Sequence, residues 1–421
     1  MKLCFEWIYL IWSLLVTPVT FALKPPHLDE FYDPPKEYHG TRLGEILKVR
    51  QPPGSIRSYL APVNAISWQL LIRSEDSFGN PNSISATILE SQDSDSTKIL
   101  AYQAFENSAT GDCRPSYAIL SGSFETSQIQ AELAFISMAL SKGWFVLIPD
   151  YEGPHSSFPA AKISAFSVMN AMRAARTFIN KDAHFAMLGY SGGALASAWT
   201  AILHPQYAPE LKIVGAAMGG TITNISALVE TVDGGPYAGL VVNILNGLGN
   251  EYPRFKYAIH RYGLNLRNYC LISAAIHYFG SKFNVDVYKN FLQNGIIRYY
   301  FNKNSLLGKP APKMPVFIYH SVLNEMSPIN EVHKLVNQWC AQGAKLEFSE
   351  DLSYNHMVEA FTGIPAALTW LENRFELRET PSKCVWEKRI SNLMYPGSST
   401  LIKEHLKYSI SQVLSKINFF S

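Results

Sequence analysis

The sequence predicts an α/β fold whose mostly parallel sheet is interrupted by a long helical insertion. Apolar runs of about four to eight residues are typical of buried parallel strands, and they recur at Trp68–Arg73, Ser85–Leu89, Lys98–Phe105, Trp144–Pro149, His184–Gly189, Lys212–Met218, Val316–Tyr319 and Lys345–Phe348. Helical patterns lie between them at Glu132–Ser141, Ser164–Ile179, Gly193–Leu203, Glu331–Cys340 and Met357–Phe375. Strands that alternate with helices build a parallel sheet, and ligands bind at the carboxyl ends of its strands.

The segment from Thr221 to Pro310 breaks this alternation. It has no convincing strand, and its helical stretches lie near 225–232, 237–248 and 255–264. Insertions of this length are usually functional, so the segment is interpreted as a cap, or lid, over the strand ends. A cap that only packs is the alternative. The expected organisation is a signal peptide (1–22), a core in two parts (23–220 and 311–398), the cap (221–310) and a C-terminal amphipathic helix (399–421).

Composition excludes several classes of protein. The chain has 421 residues, of which 47% are hydrophobic and 17% charged, with 36 Lys and Arg against 34 Asp and Glu. A disordered chain needs low hydrophobicity and high net charge. A nucleic-acid binder needs an excess of positive charge, which is missing here. We therefore expect a globular protein with no nucleic-acid partner.

The first 22 residues resemble a secretory signal. A lysine precedes an apolar run that ends near Val16, and small residues follow at Thr20 and Ala22, where cleavage is expected. The alternative is a membrane anchor, but the run is shorter than the ~20 residues that a span requires. The chain is therefore predicted to be secreted. Its one sequon, Asn224-Ile225-Ser226, is a candidate glycosylation site.

Four cysteines remain after the signal: Cys113, Cys270, Cys340 and Cys384. Four cysteines in a secreted chain can pair in three ways, and the sequence does not choose among them. None belongs to a CxxC motif, so no zinc site is expected.

The segment Gly189-Tyr190-Ser191-Gly192-Gly193 follows a predicted strand and opens a predicted helix. G-x-S-x-G in that context is a nucleophile elbow, in which a tight turn projects the serine above the sheet of an α/β-hydrolase. Ser191 is therefore the candidate nucleophile. The backbone N–H of Gly192 is the candidate donor to an oxyanion.

The other two members of a serine triad should follow Ser191 in the order acid, then histidine. His356 lies in a loop after a predicted strand and is the candidate base. The acid is expected in the loop after Val316–Tyr319, where the sequence has Asn324 with Glu325 beside it.

The chain resembles the Candida-type secretory lipase family over roughly residues 25–400. The resemblance rests on the stretches SWQLLIRSEDSFGNPN, DCRPSYA, PDYEGP, GYSGGALAS, HPQYAPEL, GNEYPRFK, FSED and HMVEAFTGIPAALTWLENRF. It implies an α/β-hydrolase fold and a secreted acyl-ester hydrolase that acts on lipids, with Ser191 as nucleophile and His356 as base. It also implies the disulfides Cys113–Cys270 and Cys340–Cys384.

The family pattern differs from this sequence at two acidic positions. The oxyanion position has Asn107 where the family usually has Asp, and a backbone N–H is expected to serve there. The triad acid is replaced by Asn324, which can orient His356 but cannot stabilise its charged form. The equivalent replacement in a serine protease lowers kcat by about 10⁴. Three interpretations stay open: Glu325 substitutes, the enzyme works slowly with Asn324, or Asp351 reaches the histidine.

Three functions are therefore weighed. The first is a secreted triacylglycerol lipase, a monomer that acts at a lipid–water interface through an acyl-enzyme, with no metal or organic cofactor. The second is a short-chain esterase or acyltransferase. The third is a catalytically impaired lipid-binding protein. Asp150 and Glu152 of the DYEGP motif are expected to be structural, and the apolar stripe of residues 401–420 is expected to pack against the body rather than on lipid.

Overall fold

The computed structural model describes residues 23–56, 63–123, 127–264, 266–283 and 291–405. The predicted signal peptide, 1–22, lies outside these residues, as do residues 406–421 of the predicted C-terminal helix. The described start of that helix, residues 398–405, is helical, and Leu401 is buried. Across the described ranges, no helix is long and apolar enough to span a membrane.

Ten strands form one sheet: β1 (Ile46–Arg50), β2 (Ile66–Glu75), β3 (Pro81–Glu90), β4 (Asp95–Gln103), β5 (Trp144–Pro149), β6 (His184–Tyr190), β7 (Lys212–Gly219), β8 (Val316–Ser321), β9 (Leu346–Asp351) and β10 (Val385–Arg389). Their order across the sheet is β1-β2-β3-β5-β4-β6-β7-β8-β9-β10. The pairs from β1 to β3, and β3 with β5, are antiparallel, whereas all pairs from β5 to β10 are parallel.

The helices are α1 (Pro115–Ala118), α2 (Ser127–Leu140), α3 (Ala161–Phe178), α4 (Gly192–Tyr207), α5 (Ile225–Val232), α6 (Gly239–Glu251), α7 (Pro253–His260), α8 (Leu271–His277), α9 (Gly295–Asn304), α10 (Ile329–Ala341), α11 (His356–Thr362) and α12 (Ile364–Phe375). One core contains α3, α4 and α10, and the other contains α2 and α12. A mostly parallel sheet with helices on both faces is the α/β-hydrolase fold that the sequence predicts.

The central strands are apolar throughout because both of their faces are covered. All six residues of β5 are buried. Since successive side chains of a strand point to opposite faces, Leu147 belongs to one core and its neighbours Val146 and Ile148 belong to the other.

Between β7 and β8, where the sequence predicts the cap, the described residues form the five helices α5 to α9. The described residues of this segment form no strand. The first helix matches the predicted 225–232. The helices α8 and α9 were not expected, because each is short and follows a stretch without clear periodicity.

Two further elements differ from the sequence-based expectation. The predicted helix Met357–Phe375 is divided at Gly363 into α11 and α12. A side chain at position 363 would place its Cβ 2.4 Å from the Tyr319 ring, and Pro365 lies in the first turn of α12, where its missing N–H costs nothing. The edge strands β1 and β10 also escaped prediction, because most of their side chains are partly or fully exposed.

The structure contains both disulfides that the family resemblance implies. Cys113–Cys270 joins the loop after β4 to the start of α8. Cys340–Cys384 joins the end of α10 to the residue before β10 and spans 44 positions. The exposed edge strand is thus held to the core by a covalent bond as well as by its ladder to β9.

Replacing both cysteines of this second disulfide, as Cys340→Ser with Cys384→Ser, should lower the free energy of unfolding by about 2–4 kcal/mol, because the unfolded chain loses a constraint on a long loop. The urea midpoint of the double variant, compared with that of the native protein, measures the change. An unchanged midpoint would show that β10 needs no covalent support.

Candidate active site

Ser191 lies in the sharp turn between β6 and α4. Its backbone is in a strained conformation, with φ 53° and ψ −116°, and its N–H donates to the carbonyl oxygen of Gly219 (2.9 Å). A non-glycine residue at positive φ is uncommon and costs of the order of 1–3 kcal/mol. This is the geometry that a nucleophile elbow requires.

The two outer glycines of the elbow are required by close backbone contacts. A Cβ on Gly189 would lie 2.2 Å from the carbonyl oxygen of Gly193, and one on Gly193 would lie 1.9 Å from the carbonyl oxygen of Gln103. The G-x-S-x-G pattern therefore lets α4 start directly against the ends of β6 and β4.

His356 is the first residue of α11, and Asn355 is the N-cap, whose Oδ1 accepts from the N–H of Val358. The hydroxyl of Tyr190 donates to the carbonyl oxygen of His356 (2.6 Å), and the two rings pack with centroids 4.9 Å apart. Burial lowers the pKa of His356 to about 3. The imidazole is therefore neutral at physiological pH, as a general base must be.

Asn324 contacts the imidazole directly, with its Nδ2 2.8 Å from Nδ1 of His356. Its Oδ1 accepts from the backbone N–H groups of Met326 (3.0 Å) and Ser327 (2.8 Å). These two donors fix the orientation of the amide, because the opposite orientation would place NH₂ against both N–H groups. The Nδ2 group thus donates to Nδ1, and the neutral imidazole carries its proton on Nε2.

The two other candidate acids lie elsewhere. Glu325 accepts from the backbone N–H of His356 (2.8 Å) and from the hydroxyl of Tyr237 (3.3 Å), so its carboxylate contacts the start of α11 and Tyr237 instead of the imidazole ring. Asp351 accepts from the N–H groups of Ser353 (2.8 Å) and Asn392 (2.6 Å). In this geometry Asn324 is the residue that orients the imidazole.

Asn107 differs from the expectation that its backbone N–H faces an oxyanion. That N–H donates to Glu152 (2.9 Å), and the N–H of Ser108 donates to the other oxygen of the same carboxyl group (3.2 Å). Asn107 has a positive φ of 49°, and its Oδ1 would lie 1.8 Å from a Cβ on Gly192. The side-chain amide, rather than the backbone N–H, therefore stands beside the elbow.

Acidic side chains lie buried beneath this loop. Burial raises the pKa of Glu106 to about 8, and burial together with the charge of Glu106 raises that of Glu152 well above its usual value. Ser156 donates to Glu106 (2.5 Å). Glu152, expected to be structural, thus holds the loop that carries Asn107. The sequence could not show this contact, because residues 107 and 152 follow different strands.

The cap contacts the same loop through asparagine side chains. Asn243 donates to the carbonyl oxygen of Asn107 (2.9 Å), while Asn250 and Asn268 each donate to that of Ala109 (3.0 Å). Cap and oxyanion loop are therefore joined by hydrogen bonds as well as by Cys113–Cys270.

Ser191, His356 and Asn107 line one narrow cavity, with a volume of about 50 Å³. Its other walls are mostly apolar, with Phe105, Tyr237, Leu271, Ile272, Met326 and Met357 among them. These apolar walls suit the hydrocarbon part of a ligand. Within the described ranges, no cluster of His, Cys, Asp and Glu is suited to a metal ion.

Asn224, the candidate glycosylation site, is half-buried at the start of α5. Its Oδ1 accepts from the N–H groups of Ser226 and Ala227, and its Nδ2 donates to Glu331 (2.9 Å). A glycan would be attached at this Nδ2, and glycosylation of Asn224 stays a prediction.

Replacing Gly193 by Ala should destabilise the protein by about 1–3 kcal/mol or more and abolish activity, because the new methyl group overlaps the carbonyl of Gln103. Gly295→Ala is the matched control, since a Cβ there has nothing within 4 Å, and it should change stability by less than about 0.5 kcal/mol. Thermal denaturation measures the stability of each variant, and ester hydrolysis measures its activity. Equal stability of the two variants would contradict the assigned contact.

Comparison with known proteins agrees with this geometry. The sequence profile described as "Secretory lipase" matches residues 120–382. Lipase 7 of Candida albicans is 44% identical over 98% of this chain and 99% of its own length, and Lipase 5 of the same organism is 42% identical over 97% and 94%. The X-ray structure of Candida antarctica lipase A superposes with a TM-score of 0.83 at 26% identity, covering 92% of this chain and 95% of that one. The chain belongs to the secretory lipase family.

Proposed function

We propose that this chain is a secreted lipase that hydrolyses lipid esters through an acyl-enzyme on Ser191, and that its chemical step is slow because Asn324 occupies the acid position. The observation that carries the proposal is the cavity that brings the strained Ser191, the neutral His356 and Asn107 together. Membership of the family supports the lipase activity, and the geometry supports the proposed residue roles.

In the proposed reaction, Ser191 attacks the ester carbonyl while Nε2 of His356 takes its proton, which is later given to the leaving alcohol. Water then resolves the acyl-enzyme by the same route. The N–H of Gly192, at the start of α4, stabilises the oxyanion together with Nδ2 of Asn107, once that amide has rotated so that Nδ2 instead of Oδ1 faces the elbow. An amide donor at position 107 needs no titration, because it carries its protons at every pH.

Asn324 opposes this reaction through the tautomer it favours. His356 can take a proton at Nε2 only when its own proton is on Nδ1. That Nδ1–H would face the Nδ2 group of Asn324, which is held in place by Met326 and Ser327. Reaction therefore requires a minor tautomer with a rotated amide. Leaving two buried N–H groups unpaired costs about 1–3 kcal/mol each.

The mouth of the cavity indicates a lipid surface as the place of action. Ile272 lines the cavity and is partly exposed, and Ile276, one turn further along α8, is 73% exposed. Phe279 is 71% exposed, and Val358 and Phe361 of α11 are exposed beside the cavity residues Met357 and Ala360. Such a patch fits a lipid–water interface. A signal peptide at 1–22 would direct the protein, as a monomer, to that interface outside the cell.

A second candidate is a family member retained mainly for binding lipid, and the Asn324–His356 contact favours it. Both candidates share the fold and the cavity. They differ in whether the native chain hydrolyses esters faster than a variant without the nucleophile.

Restoring the carboxylate with Asn324→Asp should raise kcat by about 10²–10⁴-fold with little change in KM, because Asp accepts from Met326, Ser327 and Nδ1–H of His356 together. Initial rates on a soluble short-chain ester measure it, with Ser191→Ala as the blank. Native activity above that blank identifies a working lipase, whereas no activity above it identifies the lipid-binding candidate.

Glu325→Gln separates the possible acids. The amide still accepts from the N–H of His356, so we expect kcat to stay within about threefold of the native value. A loss comparable with that of Ser191→Ala would show that Glu325 is the acid. The same comparison with Asp351→Asn tests whether Asp351 is the acid.

Removing apolar groups at the mouth, as Ile276→Ser with Phe279→Ser, should lower the rate on an emulsified triglyceride about tenfold or more and leave the rate on a soluble ester unchanged, since only the emulsion requires adsorption. Leu377→Ser is the control. Leu377 is 69% exposed and lies near Val214 and Pro315, at the opposite edge of the parallel strands. Equal losses on both substrates would contradict an interfacial role.

A further inference from the structure

We propose that the catalytic cavity binds the carboxylate of a free fatty acid, with His356 Nε2–H, the Asn107 amide and the Gly192 N–H as donors. The inference rests on the proposed function to the extent that the cavity is taken to hold the acyl chain. It goes beyond that function, because it predicts that the product acid is retained and competes with the ester.

The first donor follows from Asn324. Because its amide donates to Nδ1 of His356 (2.8 Å), the ring presents N–H, and not a lone pair, at Nε2. The ring is neutral and 3% exposed. With aspartate at position 324 the imidazole would present its lone pair to the cavity, beside a fixed negative charge. A fatty-acid carboxylate would meet repulsion there instead of a donor.

The second donor is the side chain of Asn107, which lines the cavity and is 1% exposed. Its Oδ1 has no hydrogen-bond partner within the ranges that the structure describes. Because an amide carries a donor as well as an acceptor, rotation about its last bond presents Nδ2 to the cavity. An unpaired buried polar atom is costly, and with Nδ2 in the position that Oδ1 now occupies, a ligand carboxylate would accept from it.

The third donor is the start of α4, a helix of 16 residues whose first residue is Gly192. Unpaired N–H groups and the helix dipole favour an anion at this end. The apolar walls then hold the hydrocarbon chain. Ser191 contributes a hydroxyl that can donate as well.

The nearest carboxyl groups oppose binding only weakly. Glu152 lies behind the loop that carries Asn107, where burial raises its pKa and its two oxygens already accept from the N–H groups of Asn107 and Ser108. Glu325 accepts from the backbone N–H of His356 and from the Tyr237 hydroxyl, which lines the cavity. Of these two, Glu325 is the group whose charge should weaken the binding of an acid.

The test compares decanoate with 1-decanol, which has the same chain length and no carboxylate, by titration calorimetry at pH 7.5. The native protein should bind decanoate at least about tenfold more tightly than decanol. Asn324→Asp should weaken decanoate binding about tenfold and leave decanol binding unchanged. Glu325→Gln should strengthen decanoate binding and leave that of decanol unchanged.

Equal affinities for acid and alcohol in the native protein would overturn the inference, as would decanoate binding that is indifferent to Asn324→Asp. Ester hydrolysis by the same samples separates this result from the proposed function. If Asn324→Asp increases ester hydrolysis but does not change decanoate binding, the lipase function is supported and the acid site is rejected. If the native protein binds decanoate selectively but is no more active than Ser191→Ala, the acid site is supported and the lipase function is rejected.

Discussion

The orientation of one amide determines the chemistry of this site. Met326 and Ser327 direct their backbone N–H groups at residue 324, and a carboxylate there could accept both and the imidazole N–H as well. An amide has only one oxygen, so the two backbone donors use it and the imidazole receives the NH₂ group. An amide in place of a carboxylate thus reverses the hydrogen bond that sets the tautomer of His356.

The size of the effect follows from the same contacts. Moving the imidazole proton from Nε2 to Nδ1 requires the Asn324 amide to rotate. The backbone N–H groups of Met326 and Ser327 then face Nδ2 of Asn324, which is itself a donor. At about 1–3 kcal/mol for each group, the cost is about 2–6 kcal/mol. A rate loss of 10⁴ corresponds to about 5.5 kcal/mol, so the desolvation of these two groups accounts for an effect of that order without any distortion of the fold.

The sequence predicts what depends on local pattern. The elbow at Ser191 and the central strands were predictable, because glycine spacing and continuous apolar runs have direct structural causes. The edge strands β1 and β10 were not, since their side chains alternate between partial burial and exposure without an apolar run. Nor was the role of Glu152, because its contacts with Asn107 and Ser108 exist only after two strands pair with their neighbours. The amide orientation of Asn324 likewise depends on backbone groups that no side-chain pattern reveals.

Hydrogen bonds and a disulfide join the helical segment between β7 and β8 to the loop that carries Asn107. Asn243, Asn250 and Asn268 hold the loop from above, Glu152 holds it from below, and the Cys113–Cys270 bond ends at the first turn of α8. A motion that opened the cavity by lifting α6 would break the asparagine contacts and displace Asn107 from the elbow. The other side of α8, where Ile276 and Phe279 are exposed, takes no part in these contacts. The same residues form the apolar mouth, so contact with lipid would act on the part of the cap that the oxyanion loop constrains least.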